Sequence, residues 1–243
     1  MLRLRTFGGI SLASGSAPLT GAATQRRRLA LLTLLAVAGE RGVSRDKLVA
    51  YLWPESDAER ARHVLNQLVY AQRKQLDSQH LFLGQKTLRL NRDVIWTDVG
   101  AFEAAFEAGA LEEAVQDYTG PFLDGFFVRD APEFERWVDR ERSRLARRCS
   151  DALVKLAEQA SAAGRKSEAV AWRTRALELD PLDTSRTVAL VRAHIAAGNR
   201  PEALRVARRH EADLREEVGV APGPELNALL QELLGGPASS PPI

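Results

Sequence analysis

The pattern of apolar and polar positions predicts short strands and helices in the first 97 residues and helices alone after them. Leu and Arg alternate over residues 2–5, which is typical of a half-buried strand. Gly8 and Gly9 end that strand, a second short strand is predicted over residues 10–13, and a third begins at Leu19. We therefore expect a small antiparallel sheet at the N-terminus.

Two helices are predicted after this sheet. The longest apolar run, residues 29–38, is too short to span a bilayer and predicts a buried helix, with Thr24 as its N-terminal cap. Ser44 then caps a shorter helix, which stops before Pro54. A tight turn at Pro54 leads directly into a third helix.

The third predicted helix, residues 56–76, is amphipathic. Ser56 and Glu59 have the S-x-x-E spacing of a capping box. Apolar residues recur at helical spacing on the face that we expect to pack on a core, namely Ala61, Val64, Leu65, Leu68 and Leu76. The opposite face is polar and carries His63, Gln67, Tyr70 and Lys74, flanked by Arg62, Asn66 and Arg73.

This polar face has the side chains that a protein needs to read duplex DNA. Arg and Lys neutralise phosphates or bond guanine, whereas Asn and Gln can bond an adenine edge with both amide atoms. A single helix of this width fits the major groove. A solvated helix face without a ligand is the simpler interpretation, and the helical periodicity alone leaves both open.

A β-hairpin is predicted directly after this helix, which favours DNA binding. Gly84-Gln85-Lys86 joins two short apolar segments, so that Lys86 lies at the tip and Arg89 on the returning strand. A helix followed by a basic hairpin is the arrangement of a winged helix-turn-helix, in which the hairpin contacts the DNA backbone or minor groove. Double-stranded DNA is therefore the expected partner.

Three arginines at the start of the first helix, residues 26–28, oppose the helix macrodipole. Backbone N–H groups and guanidinium groups would converge there on one anion, so Arg26 and Arg27 are candidate phosphate contacts. Plain solvated arginines are the alternative.

The charge is distributed unevenly along the chain. Residues 1–97 contain 15 Lys and Arg against 7 Asp and Glu, whereas residues 98–243 contain 19 against 25, within a net charge of +2. A basic half attracts a polyanion and an acidic half repels one. We therefore place the nucleic-acid surface in residues 1–97 only.

The second half has helical patterns nearly throughout. The sequence G-x-x-x-E-A begins at Gly109, Gly164 and Gly198, and the last two copies are 34 residues apart, the tetratricopeptide (TPR) period. Each Gly ends one helix and each Ala allows close packing, so the pattern predicts an all-α, TPR-like solenoid with a groove for a partner. One long helix is predicted over residues 133–163. The Gly-, Pro- and Ser-rich residues 235–243 predict a disordered tail or linker.

Several segments together resemble one known group of bacterial regulators. They are LRLRTFGGISL from Leu2, YLWP from Tyr51, ARHVLNQLVYAQRKQL from Ala61, Asp98 with Phe102, YTGPFLDGF from Tyr118 and GVAPGPEL from Gly219. These residues are similar to the SARP-type regulators, in which an OmpR-like winged-helix domain precedes a bacterial transcriptional activator domain. The resemblance covers nearly the whole chain.

The resemblance implies an α+β winged helix-turn-helix domain over residues 1–97, with a small antiparallel sheet and a C-terminal hairpin wing. It implies a TPR-like helical activator domain over residues 98–234. Such a regulator binds direct repeats near promoters, with a second copy on the tandem site, and contacts the RNA polymerase holoenzyme through its helical domain. The groove-facing or phosphate-facing positions carried over are Arg62, Asn66, Gln67, Tyr70 and Arg73.

Two residues depart from the family pattern. Ala71 stands where the family usually has Arg, which removes a phosphate contact. Gln72 stands where the family usually has an apolar residue, and a buried amide costs free energy unless it finds a hydrogen-bond partner. Both departures are expected to weaken DNA binding rather than to change the fold.

Nothing in the sequence indicates an enzyme, a cofactor, a metal or a small-molecule ligand. The chain has no P-loop, and its four histidines are scattered, so we expect them to have surface or packing roles. Cys149 is the only cysteine, which allows no disulfide within the chain and suits the reducing cytoplasm. The chain is expected there, at the nucleoid when bound to DNA, and not at a membrane.

An interaction module is the alternative function. In that case the solenoid binds other proteins, and the winged helix binds DNA weakly or not at all. Ala71 and Gln72 favour this interpretation, and the basic charge of residues 1–97 opposes it.

Overall fold

The computed structural model of the chain describes residues 1–235, which form two compact units, Met1–Cys149 and a second one from Ser150. The strands are β1 (Leu2–Arg5), β2 (Ser11–Ser14), β3 (Ala17–Pro18), β4 (Val43–Ser44), β5 (Phe82–Leu83), β6 (Thr87–Leu90) and β7 (Ile95–Thr97). The first helices are α1 (Arg26–Ala38), α2 (Arg45–Leu52), α3 (Ala58–Gln75), α4 (Asp98–Glu107) and α5 (Leu111–Asp117). A long helix, α6 (Pro132–Ala162), contains the boundary between the units.

The N-terminal sheet has four strands in the order β3-β2-β1-β7. β1 is half-buried as predicted, because Leu2 and Leu4 face the core. β1, β2 and β3 are antiparallel as predicted, although β3 ends at Pro18, before the predicted start at Leu19. The fourth strand, β7, was not part of that prediction and lies parallel to β1. Helices α1–α3 and strands β2–β6 lie between β1 and β7 in the sequence, and a long connection of this kind lets a strand return in the same direction.

Helices α4 and α5 pack in the same unit as this sheet. Phe7, two residues after β1, contacts the rings of Phe102 and Tyr118 and the ring of Phe122 in the loop before α6. Phe122 also bridges the backbone at Phe7 and Gly9. The first compact unit therefore extends past the predicted domain boundary at residue 97, as far as Cys149.

Helix α1 forms the centre of this unit, and eight consecutive residues, Leu29–Ala36, are buried, as the apolar run predicted. Its predicted cap is wrong. Gln25 occupies the cap position without a side-chain bond, and the Thr24 hydroxyl instead donates to the Gly21 carbonyl within a short 3-10 turn. The Ser44 cap of α2 is confirmed, since its hydroxyl accepts from the Lys47 N–H at 3.3 Å.

Helix α3 begins two residues later than predicted, and Asp57 rather than Ser56 caps it. One Asp57 carboxylate oxygen accepts from the backbone N–H of Glu59 at 2.9 Å and of Arg60 at 3.2 Å. The Asp57 carboxylate bonds both free N–H groups, and its negative charge is stabilised by the positive end of the helix dipole. These two effects explain why Asp57 rather than Ser56 caps the helix.

The hairpin after α3 is confirmed and belongs to a three-stranded sheet of order β4-β6-β5. Strand β4, which the sequence did not predict, pairs Val43 with Leu88. Gly84 has a φ of +85° in the hairpin turn, where a Cβ atom would collide with the Thr87 carbonyl oxygen. Glycine is thus the residue that this turn requires.

The second unit contains α7 (Lys166–Glu178), α8 (Thr184–Ala196), α9 (Arg200–Asp213), a π-helical turn (Leu214–Val218) and α10 (Pro224–Gly235). Consecutive helices pack against each other around buried Val191, Ala203, Ala207 and Leu226. The three G-x-x-x-E-A copies behave alike, because each Gly has positive φ after a helix and each Ala is buried.

The long helix α6 confirms the predicted helix within one residue at each end, and α10 extends one residue past the predicted last helix. Of the predicted disordered tail, 235–243, all but the first residue lies outside the described residues. Among residues 1–235, no helix is both long and apolar enough to cross a membrane.

Candidate nucleic-acid interface

The polar side of α3 is open to solvent. We call six of the exposed residues on this side the polar face: Arg62, His63, Asn66, Gln67, Tyr70 and Lys74. The ring of Tyr70 is a large apolar group, and this residue is 69% exposed. Within the polar face, the Gln67 amide nitrogen donates to His63 Nε2 at 2.8 Å, since an amide nitrogen cannot accept.

The buried side of α3 differs in part from the prediction. Ala61, Leu65 and Leu76 are buried as expected, but Val64 and Leu68 are only half-buried. Val69 and Gln72 complete the buried stripe instead. The stripe follows a spacing of four, four, three and four residues, which keeps it on one side of the helix.

Gln72 is the one polar member of that stripe and is fully buried. Neither its amide oxygen nor its amide nitrogen has a hydrogen-bond partner within the described chain. The sequence predicted a cost for this residue unless it found a partner, so the structure places an uncompensated amide beneath the polar face.

Arg73, predicted as part of the DNA surface, lies between α3 and the hairpin. It is half-buried, and its Nη2 donates to the Phe82 carbonyl oxygen at 3.0 Å. Its Nε is buried without a partner among the described residues. This side chain therefore holds the start of β5 against α3 and does not share the exposure of the polar face.

Two residues at the start of α2 contact the polar face, and the sequence pattern predicted neither contact. Asp46 accepts from Arg62 Nε at 3.1 Å, in an exposed ion pair. Arg45 Nη1 donates to the Asn66 amide oxygen at 2.6 Å. Burial lowers the pKa of the Arg45 guanidinium, and the nearby charge of Arg73 lowers it further. The Ser44 cap was the sequence feature that could have indicated these contacts. It places Arg45 and Asp46 in the first turn of α2, the helix that precedes α3.

The hairpin brings Lys86 to the same side of the unit. Lys86 is exposed, and its carbonyl oxygen accepts from the Arg45 N–H at 3.1 Å, so the hairpin tip lies beside the start of α2. Arg89 is exposed on β6 and donates to the Glu40 carboxylate at 3.1 Å. Glu40 also pairs with Arg92, so this part of the hairpin presents less free charge than its sequence indicates.

Arg26 and Arg27, the candidate phosphate contacts, are engaged within the protein. Arg26 Nη1 donates to the Phe127 carbonyl oxygen at 2.7 Å, and its guanidinium lies 4.1 Å from the centre of the Phe127 ring. Arg27 donates to the carbonyl oxygens of Leu52 at 3.2 Å and Arg129 at 3.0 Å. Both guanidinium groups are thus bonded to backbone carbonyl oxygens of the protein.

The histidines of the second unit have packing roles. His210 is buried, and its ring nitrogens lie 3.1 Å from the Thr187 hydroxyl and 3.0 Å from the Thr184 hydroxyl. His194 is also buried, and this burial lowers its pKa, whereas Glu202 raises it and Arg205 lowers it by smaller amounts. No group of His, Cys, Asp and Glu side chains within residues 1–235 could hold a metal ion.

The helical part of the chain matches a known protein family. Residues 97–234 match the family described as the bacterial transcriptional activator domain, which is more than half of the sequence.

Named relatives occur in mycobacteria. The chain is 26% identical to the transcriptional regulatory protein EmbR of Mycobacterium tuberculosis, over 94% of this chain and 62% of that protein. It is 25% identical to the transcriptional regulatory protein MoaR1 of the same species, over 86% of this chain and 72% of that protein. The chain thus spans about three fifths of the length of EmbR.

A solved structure of Mycobacterium tuberculosis EmbR, in complex with a low affinity phosphopeptide, has the same fold. The two structures superpose with a TM-score of 0.63 at 24% identity, over 96% of this chain and 65% of that one. The small sheets and many helices of this chain therefore form an EmbR-like fold.

Proposed function

Because the chain belongs to the bacterial transcriptional activator domain family, we propose that it is a sequence-specific DNA-binding transcriptional regulator. In this proposal, residues 1–97 form a winged helix-turn-helix domain. Helix α3 enters the major groove, and the β5–β6 hairpin is the wing that contacts the DNA backbone or minor groove beside it.

The exposed polar face of α3 is the observation that carries the proposal. Its residues include a guanidinium, two amides and an ammonium, which are the groups that bond base edges and phosphates. Lys86 lies at the tip of the adjacent hairpin and adds a further cation. The polar face and the hairpin tip both lie near the start of α2, which suits simultaneous contact with one duplex.

We assign the activating contact to the helical part of the chain. Residues 98–234 are proposed as a TPR-like activator domain that contacts the RNA polymerase holoenzyme. The chain is proposed to bind direct repeats near promoters, so that a second copy lies on the tandem site. Membership of the family and the names of the relatives support this assignment.

A protein-interaction module remains the second candidate. Arg62 is paired with Asp46, and Arg73 is turned towards the hairpin, so two of the predicted cations contribute less charge to the surface. Such a chain would use its helical part to bind other proteins and would bind DNA weakly or not at all.

Selection of bound duplexes from a random library by the whole chain distinguishes the two candidates. We expect enrichment of a short sequence that occurs twice in the same orientation, because each copy of the chain reads one half-site. Asn66→Ala should reduce affinity for the selected duplex by about 1–3 kcal/mol if this residue bonds a base. Glu112→Ala, at an exposed residue of α5, serves as the control. Absence of any enriched sequence would favour the interaction module.

Transcription with purified RNA polymerase holoenzyme tests the second part of the proposal. The template carries the selected repeat upstream of a weak promoter. We expect the chain to increase the amount of transcript from this template and to leave a template with a scrambled repeat unchanged. Binding of the repeat without an increase in transcript would contradict the activator assignment and leave the DNA-binding assignment standing.

A further inference from the structure

Arg45 lies where α2, α3 and the hairpin meet. It is the first residue of α2, and its backbone N–H donates to the Lys86 carbonyl oxygen at 3.1 Å. Its side-chain Nε donates to the Gln85 carbonyl oxygen at 2.5 Å, and its Nη1 donates to Asn66 Oδ1 at 2.6 Å. One guanidinium thereby joins the hairpin turn to the polar face of α3.

This position is unfavourable for a cation without such partners. A positive side chain in the first turn of a helix opposes the helix dipole. The hydrogen bonds to Gln85 and Asn66 offset that cost. Their geometry fixes the guanidinium beside an amide that is exposed to solvent.

The contact determines which end of the Asn66 amide faces outward. A guanidinium carries only donors, so it can bond the amide oxygen but not the amide nitrogen. With Oδ1 held by Arg45, the side chain cannot turn its nitrogen towards Arg45 without losing a charge-assisted bond. Nδ2 is the atom left free of a partner within the described chain, and it is a donor.

The four bases differ in how many hydrogen-bond acceptors they present to a donor in the major groove. Guanine presents two acceptors, N7 and O6, whereas thymine presents O4, and adenine presents N7 beside an amino donor. Cytosine presents only an amino donor. A group of donors formed by Asn66 Nδ2 and the remaining guanidinium N–H groups thus favours guanine most and cytosine least.

We propose that Arg45 is a specificity-determining residue, which makes Asn66 act as a hydrogen-bond donor and so selects guanine over cytosine at one position of the DNA site. This inference rests on the proposed function, because it concerns the base that the polar face reads. It differs from reading of adenine by an unconstrained asparagine, which uses the amide oxygen and nitrogen together.

The test uses the whole chain and duplexes that differ at single base pairs of the selected site. Asn66→Ala first identifies the base pair that Asn66 reads, as the one at which discrimination is lost. At that pair we expect the wild-type chain to bind guanine roughly tenfold more tightly than cytosine. Arg45→Met should reduce this ratio to within about threefold and raise the relative affinity for adenine.

Two further variants separate the effect of the Arg45–Asn66 hydrogen bond on base preference from a general effect of charge. Arg41→Met removes the same charge from an exposed position in the same unit and should leave the base preference unchanged. Asn66→Asp replaces the amide by an acceptor-only carboxylate at an exposed position, so it should invert the preference towards cytosine. Thermal unfolding of Arg45→Met, compared with Arg41→Met, establishes that the first unit is folded.

The possible results separate this inference from the function on which it rests. If duplexes are selected but Arg45→Met keeps the wild-type base preference, the role of Arg45 is refuted and DNA binding stands. A preference for cytosine in the wild-type chain, or unchanged preference in Asn66→Asp, also refutes it. If no duplex is selected at all, the proposed function fails and the inference fails with it.

Discussion

The hydroxyl of Thr6 donates to Asp98 Oδ1 at 2.7 Å, across 92 residues of sequence. The backbone N–H of Thr6 donates to Asp98 Oδ2 at 2.7 Å, and the N–H of Phe7 donates to the same oxygen at 3.0 Å. Asp98 is 4% exposed and is the first residue of α4. One buried carboxylate therefore joins the end of the N-terminal strand to the first helix of the helical part.

Asp98→Asn should reduce the free energy of unfolding of the first unit by about 2–4 kcal/mol. Both carboxylate oxygens accept from backbone N–H groups, because Oδ1 also accepts from the Val99 N–H at 2.7 Å. Whichever way the new amide lies, its nitrogen faces a donor. Urea unfolding measures the change, and Asp124→Asn, at an exposed residue, is the control. An equal effect in both variants would contradict this role of Asp98.

Gln72→Met should stabilise the first unit by about 1–2 kcal/mol. Methionine has a similar length and fills the same space, and it removes two buried polar atoms that lack partners within the described chain. The comparison is Gln79→Met, at an exposed position after α3, which should change the unfolding free energy little. A loss of stability in Gln72→Met would mean that the amide has a partner in solution.

Arg27→Ala distinguishes a structural role from the phosphate contact that the sequence predicts. Loss of its bonds to the Leu52 and Arg129 carbonyl oxygens should lower the free energy of unfolding by about 1–2 kcal/mol. The salt dependence of DNA binding should stay unchanged. Arg140→Ala, at an exposed residue of α6, controls for the lost charge. The reverse result, unchanged stability with a weaker salt dependence, would assign a phosphate to Arg27.

The stability contributed by Asp117 should depend on pH. Burial raises the pKa of its carboxyl group above the ordinary value, the neighbouring carboxylates of Asp98 and Glu113 raise it further, and Arg5 lowers it by a smaller amount. A carboxyl group with a raised pKa in the folded state opposes folding while it is ionised, so the penalty is present at neutral pH. It disappears as the pH falls through that raised pKa.

Asp117→Asn should therefore increase the thermal unfolding midpoint at pH 7. The increase should become smaller as the pH falls through the pKa of the folded wild-type group, where both side chains are neutral. Midpoints measured over a series of buffers from pH 7 downward test this. An increase of the same size at every pH would show that ionisation is not the cause.

The sequence predicted those elements whose pattern depends on local rules. The burial of α1, the Ser44 cap, the glycine hairpin and the long helix α6 each follow from periodicity, capping or turn geometry. The caps at Thr24 and Ser56 were wrong because a neighbouring residue took each cap position. Strand β4 has only two residues and pairs with a strand far along the chain, so no local pattern predicted it.

The candidate site was predictable as a helix face but not in its internal contacts. Helical spacing identified the six residues of the polar face, because the angle between successive side chains is fixed. The contacts of Arg45 with Asn66 and of Arg73 with Phe82 depend on how α2 and the hairpin pack against α3. The hydrogen bonds of Arg26 and Arg27 to carbonyl oxygens about a hundred residues away also depend on tertiary packing, which local sequence patterns do not reveal.

The salt dependence of binding to the selected duplex is the most direct test that the polar face and the hairpin lie on DNA. The logarithm of the affinity should fall steeply with the logarithm of the salt concentration, because each phosphate contact releases counterions. Lys74→Ala and Lys86→Ala should each reduce that slope by about one, whereas Lys155→Ala, at an exposed residue of α6, should leave it unchanged. A flat response in the wild-type chain, or equal slopes in all four proteins, would contradict the assignment.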